Sequence, residues 1–336
     1  MNKKTVLGSF SGFLTDARTV RRLISIGLLV LMAVIFSITT ADFFGSRNIS
    51  IMLRNAGYIG LITLGMSFVI IGGGIDLSAG GIVSLASTLC VRFSMSGAPG
   101  IIVVLFGVAV GAACGLINAL FVTKVRLTEF VATLATGFAF AGLTIMVSFR
   151  QRGTLVTAPI TNTSYRALRG DIGGLFYITI VWIVLTVVMY LVLTRTKFGI
   201  HTYSIGSHRK SAQMSGVNND MVKMMGYVIC GMCAGLAAVM QTAIVGSSQP
   251  NIGTGYEFQA IAACVVGGVI LGGGKGDAIS AFIGSLFLVM LMNGLFKYGL
   301  ATSWEYILQG AIILVATSFD AIFSRYTTKR LLARAR

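Results

Sequence analysis

GGGIDLSAGG, Gly72–Gly81, sets a carboxylate among glycines inside a long apolar tract that runs from about Tyr58 to Val91. An acid placed inside a membrane-spanning helix costs about 2.5–3.5 kcal/mol on insertion scales. The glycines free the backbone to leave the helix and to approach another segment closely. A helix that breaks beside a buried acid marks a place where a membrane protein handles a polar passenger.

The rest of the chain has the composition this reading needs. Of 336 residues, 55% are apolar and 11% charged, and mean hydropathy is +0.88; soluble domains carry about 25% charged residues. The sequence is that of an all-α integral membrane protein. Clear spans are Leu23–Phe44, Ile101–Val122, Phe130–Phe149, Leu175–Leu193, Met224–Val245, Ala278–Phe296 and Tyr306–Phe323. Tyr58–Ile71 extends back toward Ile51 if Arg54 snorkels. Leu77–Val91 and Phe258–Leu271 are too short for a full crossing and both abut glycines, so they count as short or broken spans. The total is ten. The first span is too long for a signal-peptide core and has no A-x-A pattern after it, so it is expected to stay.

Formal net charge is +16. Nucleic acid is not the expected partner, because Lys and Arg gather beside spans. Ten passes with the N-terminus inside put 18 of the 26 basic residues on the inner side, as the positive-inside rule requires. Both termini are then cytoplasmic, and Pro99, Pro159 and Pro250 fall in outer loops. The expected organisation is a cytoplasmic segment over 1–22, one permease domain over 23–323 and a basic tail over 324–336. An inner loop spans 194–223 and an outer loop 150–174. Asn118-Ala-Leu-Phe followed by Glu129, and Asn293-Gly-Leu-Phe followed by Glu305, suggest an inverted repeat of spans 2–5 and 7–10; such repeats place the passenger route at their interface.

Several chemistries are missing. There is no P-loop: in the nearest stretch, Gly272–Gly276, Val269 stands where the first Gly belongs and Gly276 where Ser or Thr belongs. No HExxH and no paired intramembrane acids occur, so neither an enzyme nor a proton-relay carrier is expected. Cys230 and Cys233 have CxxC spacing, but with two His in the chain a zinc site is not expected.

Three ordered stretches resemble the permease subunit of ribose-type (monosaccharide) ABC importers. They are GGGIDLSAGG, RTKFGIHTYSIGSHRKSAQMSGVN (Arg195–Asn218) and SQPNIGTGYEFQAIAACVVGGVILGGGKG (Ser248–Gly276), joined by EFVATL at Glu129–Leu134. The resemblance covers nearly the whole chain. It implies a second permease subunit, same or related, and a cytoplasmic ABC ATPase that holds the ATP and Mg, with no cofactor in this chain. It also implies a periplasmic solute-binding protein and a place in the bacterial inner membrane. The alternative is a stand-alone channel or ion-coupled carrier.

The resemblance also assigns sites. A coupling helix at Gly206–Asn218 would meet the ATPase through Gly206, His208, Arg209, Lys210, Ala212 and Gly216. Here His208, Arg209, Lys210 and Ser211 replace the family's Asn, acidic or small residue, and Ala pair; Gln259 replaces its Asp and Ala141 its Arg. Gly73, Gly74, Asp76, Ser78, Gly80, Glu257, Gln259, Asn118 and Asn293 form the expected translocation path or helix breaks. Asp76 and Glu257 read first as caps of the helices that follow them, Asp76 with help from Ser78. Interhelical hydrogen bonding is the first reading for Asn55, Asn118, Gln241 and Asn293, and contact with a passenger the second. Arg150, Arg152, Arg166 and Arg169 are expected to meet acidic residues of the binding protein.

Overall fold

Glycine decides both where the helices stop and where they touch. The computed structural model describes residues 17–151, 154–300, 303–315 and 318. Ten helices account for the expected passes: α1 (Ala17–Thr39), α2 (Ser46–Ile71), α3 (Ala79–Ser94), α4 (Gly100–Thr123), α5 (Glu129–Val147), α7 (Tyr177–Arg195), α10 (Asn219–Val245), α11 (Tyr256–Val266), α12 (Ala278–Lys297) and α13 (Ser303–Val315). Between them lie a short outer-loop helix, α6 (Thr163–Arg166), and two inner-loop helices, α8 (Lys197–Ser207) and α9 (Arg209–Met214). Among the described residues, seven helices are long and apolar enough to cross a membrane, and α3, α11 and α13 are shorter. The remainder of the expected tenth span, the basic tail and most of the N-terminal segment lie outside the described residues.

The short spans are shifted from their sequence bounds. α3 runs to Ser94, three residues past Val91. α11 starts at Tyr256 and stops at Val266, because Gly267, Gly268 and the glycines after them turn the chain, Gly268 at φ +98°. α2 reaches back through Arg54 to Ser46. The Arg54 guanidinium sits over the Phe176 ring, 5.3 Å from its centroid, so an aromatic partner just before α7 faces the charge.

Contacts between helix ends sort into two groups, as alternating passes require. At one end, Arg22 pairs with Asp277 at 2.5 Å, Arg126 with Asp220 at 2.8 Å, and Lys223 with Glu129. At the other, Ser50 Oγ donates to the Gly174 carbonyl, and Asn162 Nδ2 donates to the Ser94 and Ala98 carbonyls. The outer loop and the two residues after it, from Arg150 to Phe176, form two small hairpins. The loop's Ala158–Pro159 strand also pairs antiparallel with Ser247–Ser248 after α10.

The packing centre is a seam between α4 and α10. Gly111 faces Gly231, Gly115 faces Tyr227 and Gly235 faces Gly107; a Cβ on Gly111, Gly115, Gly231 or Gly235 would stand closer than 3.0 Å to the opposite backbone. Small residues four apart on both helices let the backbones touch, and dispersion there replaces the water-driven association that lipid lacks.

Candidate functional site

At the end of α2, Gly73 takes φ +79°. The Gly74 N–H turns back to the Val69 carbonyl at 2.8 Å, so the chain re-enters the bundle before α3 begins. Asp76 is fully buried there. Its Oδ1 accepts from the Ser78 N–H at 2.9 Å and the Ser78 hydroxyl at 2.6 Å, and from Asn118 Nδ2 at 3.5 Å. Asn118 Nδ2 also donates to Ser78 Oγ at 2.6 Å, and its Oδ1 accepts from Thr136 Oγ1 at 2.5 Å. Thr133 Oγ1 accepts the Leu77 N–H at 3.0 Å. Among the described residues, Asp76 Oδ2 is buried with no nitrogen or oxygen donor, and the Cys230 thiol lies alongside the carboxylate. The bond to Ser78 N–H lies one residue before α3, so Asp76 ties the broken loop to α4 and α5 rather than capping the helix from within. Buried polar groups that are paired fix one arrangement of their carriers.

The second break brings another acid to the same region. Gly255 starts α11 at φ +84°. Glu257, one residue inside α11, turns its carboxylate to the backbone N–H groups of Gly80, Gly255 and itself. The contact exists because residue 80 has no side chain: a Cβ there would stand closer than 3.0 Å to Glu257 Oε2 and to the Gly253 carbonyl. The Gly253 N–H donates to Ser84 Oγ at 3.1 Å. α3 and α11 therefore begin side by side and run to opposite ends of the bundle, with one carboxylate against both positive helix ends. A cavity of about 480 Å³ opens beside it, lined by Gly80, Ser84, Gly137, Asn251, Thr254 and Glu257 among others.

Behind the first turn of α11 lies a second cavity, of about 440 Å³. Its walls include Asn48, Asn55, Tyr58, Tyr256, Gln259, Asn293, Lys297 and Glu305. Tyr58 and Tyr256 stack, with ring centroids 5.7 Å apart and planes 22° apart, and Gln241 Nε2 donates to Tyr256 Oη. Asn48 and Asn293 exchange amide hydrogen bonds of 2.9 and 3.2 Å.

At the opposite end, three glycines meet. A Cβ on Gly273 would stand 2.9 Å from the Gly206 carbonyl oxygen and 2.9 Å from Gly73 Cα; one on Gly206 would stand closer than 3.0 Å to the Ile71 oxygen and the Gly274 nitrogen. Gly206 is thus a packing point between the two breaks. The expected single helix over Gly206–Asn218 is two helices, interrupted where His208 takes an extended backbone, φ −153°. Ala212 is buried against Ile205 and Val222, while His208, Arg209, Lys210 and Gly216 are exposed and Met214 is 89% exposed. Gly216 turns the chain back at φ +82°. Asn218 then caps α10, accepting the Met221 N–H at 3.1 Å. Asp220 braces this elbow to the rest of the bundle through Arg126 and, at 3.8 Å, Arg209.

Residues 48–317 match the family described as branched-chain amino acid transport system, permease component. The chain belongs to this permease family. The ribose import permease protein RbsC of Bacillus subtilis (strain 168) is 37% identical over 296 residues, covering 88% of this chain and 91% of that protein. RbsC of Escherichia coli (strain K12) is 32% identical over 329 residues, 95% and 99% of the two chains. The D-allose transport system permease protein AlsC of Escherichia coli (strain K12) is 29% identical over 299 residues, 89% and 90% of the two chains. No solved structure shows significant similarity to the chain.

The permease is a multi-pass membrane protein of a transport family. Its expected path residues fall in several places. Asp76, Ser78 and Asn118 form a buried brace; Gly80 and Glu257 join the two helix starts; Gln259 and Asn293 line the polar cavity; Gly73 lies at the glycine contact, and Gly74 faces Tyr227, Val69 and Glu129. Arg166 and Arg169 are exposed in the outer loop, whereas Arg152 and the Arg150 side chain lie outside the described residues. Tyr58 and Tyr256, the Glu129–Lys223 pair and the α4–α10 seam join the functional groups only in the folded chain. For the seam a signal was present, the four-residue glycine spacing of Gly107–Gly115 and Gly231–Gly235.

Proposed function

We propose that this permease is the membrane subunit of an ATP-driven importer for a monosaccharide. A second permease subunit completes the path, a cytoplasmic ABC ATPase supplies ATP and Mg chemistry, and a periplasmic binding protein delivers the sugar. The carrying observation is end-to-end similarity to ribose and allose permeases in a chain with an exposed basic elbow at His208–Lys210 and no P-loop of its own. The elbow end faces the bacterial cytoplasm, as do both termini, following the excess of Lys and Arg there. The α8–α9 elbow docks the ATPase, and Arg166 and Arg169 meet the binding protein.

The mechanism follows from the contacts. α8 touches both breaks at Gly206, so displacement of the elbow by a nucleotide-driven partner moves the loops after α2 and α11 together. Asp76 and Glu257 brace those loops; a neutral sugar needs hydroxyl and amide partners rather than net charge, which suits structural acids.

The test is uptake of labelled D-ribose, D-allose and D-galactose in cells lacking other routes. Expression of the permease with its ATPase and binding protein should give uptake of at least one sugar, and inactivating the ATPase should abolish it. Uptake that persists without any ATPase overturns the proposal in favour of a channel or ion-coupled carrier.

A further inference from the structure

α2 is 26 residues long; at 1.5 Å per residue, Tyr58 lies about 18 Å from its first residue, near mid-helix. The polar cavity therefore runs from the exposed Lys297 at one end of the bundle to a Tyr58–Tyr256 floor halfway through it. Its lining comes from α2 on one side and α11, α12 and α13 on the other.

The free polar groups matter most. Among the described residues, Asn55, Gln259 and Glu305 make no side-chain hydrogen bond or ion pair, whereas Asn48 and Asn293 satisfy each other. Polar groups left unpaired against acyl chains cost several kcal/mol each, so this space holds water or a polar solute. The charged lining residues are one Lys and one Glu, which balance and select neither a cation nor an anion. Amides offer donor and acceptor together, as a hydroxyl requires. The stacked tyrosines offer an apolar face, and Gln241 fixes the inner one. The volume lies within the roughly 300–1,000 Å³ of small-molecule sites.

We infer that this cavity is a halting site for a neutral monosaccharide within a single permease chain. Asn55, Gln259 and Glu305 bind its hydroxyls, Tyr58 and Tyr256 bind its C–H face, and Gln241 is a positioning residue for Tyr256. The tyrosine pair is also the barrier that must part before the sugar moves on. This assignment rests on the importer reading above and adds the residues and the chemistry.

The test uses the full importer, with ATPase and binding protein, carrying Asn55→Cys or Gln259→Cys. The native thiols at Cys90, Cys114, Cys230, Cys233 and Cys264 are all buried, so background labelling by a charged methanethiosulfonate is low. Each introduced thiol should label. Labelling should slow about tenfold at a concentration of the transported sugar about ten times its Kd for the site, and L-glucose should have no effect. Met95→Cys, exposed at the same end of the bundle and outside the cavity, should label equally with and without sugar. Normal wild-type uptake with unprotected or unlabelled cavity thiols overturns the site and leaves the importer intact; absence of uptake of every sugar by the wild type overturns the importer itself. Should both cysteine variants fail to assemble, Tyr256→Phe and Tyr256→Leu decide. The ring-retaining variant, which gives up only the bond from Gln241, should keep more uptake than Leu, which should lose about tenfold, the loss expected for about 1.4 kcal/mol of ring contact. Equal uptake by the two overturns the site.

Discussion

The Gly274 N–H donates to the Ile71 carbonyl oxygen at 2.8 Å. That bond fastens the loop after α11 to the last residue of α2, and Gly206 of α8 lies against both partners. Two helix breaks separated by some 200 residues of sequence thus share one point of backbone contact, beneath the element that reaches outward to a partner.

Gly206→Ala puts a methyl where Ile71 and Gly274 already stand. With only backbone to displace, the variant should lose about 2 kcal/mol or more. Thermal unfolding in detergent reads this as a lower midpoint. Gly142→Ala is the comparison, since nothing lies within 4 Å of a Cβ there, and it should be neutral or slightly stabilising. Equal midpoints for the two variants would remove the glycine contact from the account.

For Asp76, shape and hydrogen bonding separate from charge. Asp76→Asn keeps an oxygen able to accept from Ser78, so it should fold and retain most of its stability. Asp76→Leu strands the Ser78 N–H and unbalances the Asn118 amide, at about 1–3 kcal/mol for each orphaned group. Yield of monodisperse protein and its unfolding midpoint should rank wild type first, Asn close behind and Leu last. A stable Leu variant contradicts the brace.

The seam between α4 and α10 should be intolerant of bulk. Gly111→Leu or Gly231→Leu drives a branched side chain into the facing backbone, where overpacking costs about 1–3 kcal/mol even in forgiving cores. Aggregation or loss of the folded peak on size exclusion is the expected outcome; a normal elution profile with full uptake would show that the helices separate at no penalty.

Lys210→Glu tests the elbow. Lys210 is exposed and makes no ion pair among the described residues, whereas Arg209 already lies 3.8 Å from Asp220, so reversing Lys210 disturbs the fold less. Co-purification of the ATPase should fall, and more steeply at low salt, where charge steering is least screened. Undiminished co-purification and ATPase stimulation would count against docking at this surface.

Sidedness has its own readout. Met214→Cys and Arg166→Cys place thiols on exposed positions at opposite ends of the bundle. In sealed right-side-out vesicles an impermeant reagent should reach Arg166→Cys and spare Met214→Cys, with the pattern reversed in inverted vesicles. The opposite pattern would invert the assigned orientation.

Helix number and type were legible because hydrophobic length speaks directly of a bilayer. The GGGIDLSAGG break was legible because Gly and Asp are costly there unless used. Helix ends were less so. Phe258–Leu271 reads as one apolar run, yet α11 stops at Val266 because the chain turns on glycines that hydropathy scores as nearly neutral. The elbow was located by resemblance, but its division at His208 depends on backbone angles that no composition reports. Long-range pairing was the least visible part. Nothing in one sequence says that Glu257 faces the Gly80 N–H, or that Tyr58 stacks on Tyr256 nearly 200 residues away; those choices are made by the packing of whole helices.

Gly111 and Gly231 are separated by 120 residues, and that distance is also a delay. At about 5–20 residues per second of synthesis, α4 waits roughly 6–24 s before its mate exists. During that interval it lies in lipid with a bare furrow of backbone along one side. A newborn chain has therefore to be shielded from pairing that furrow with another glycine-faced helix, and a ribosome slowed between the two would lengthen the exposure.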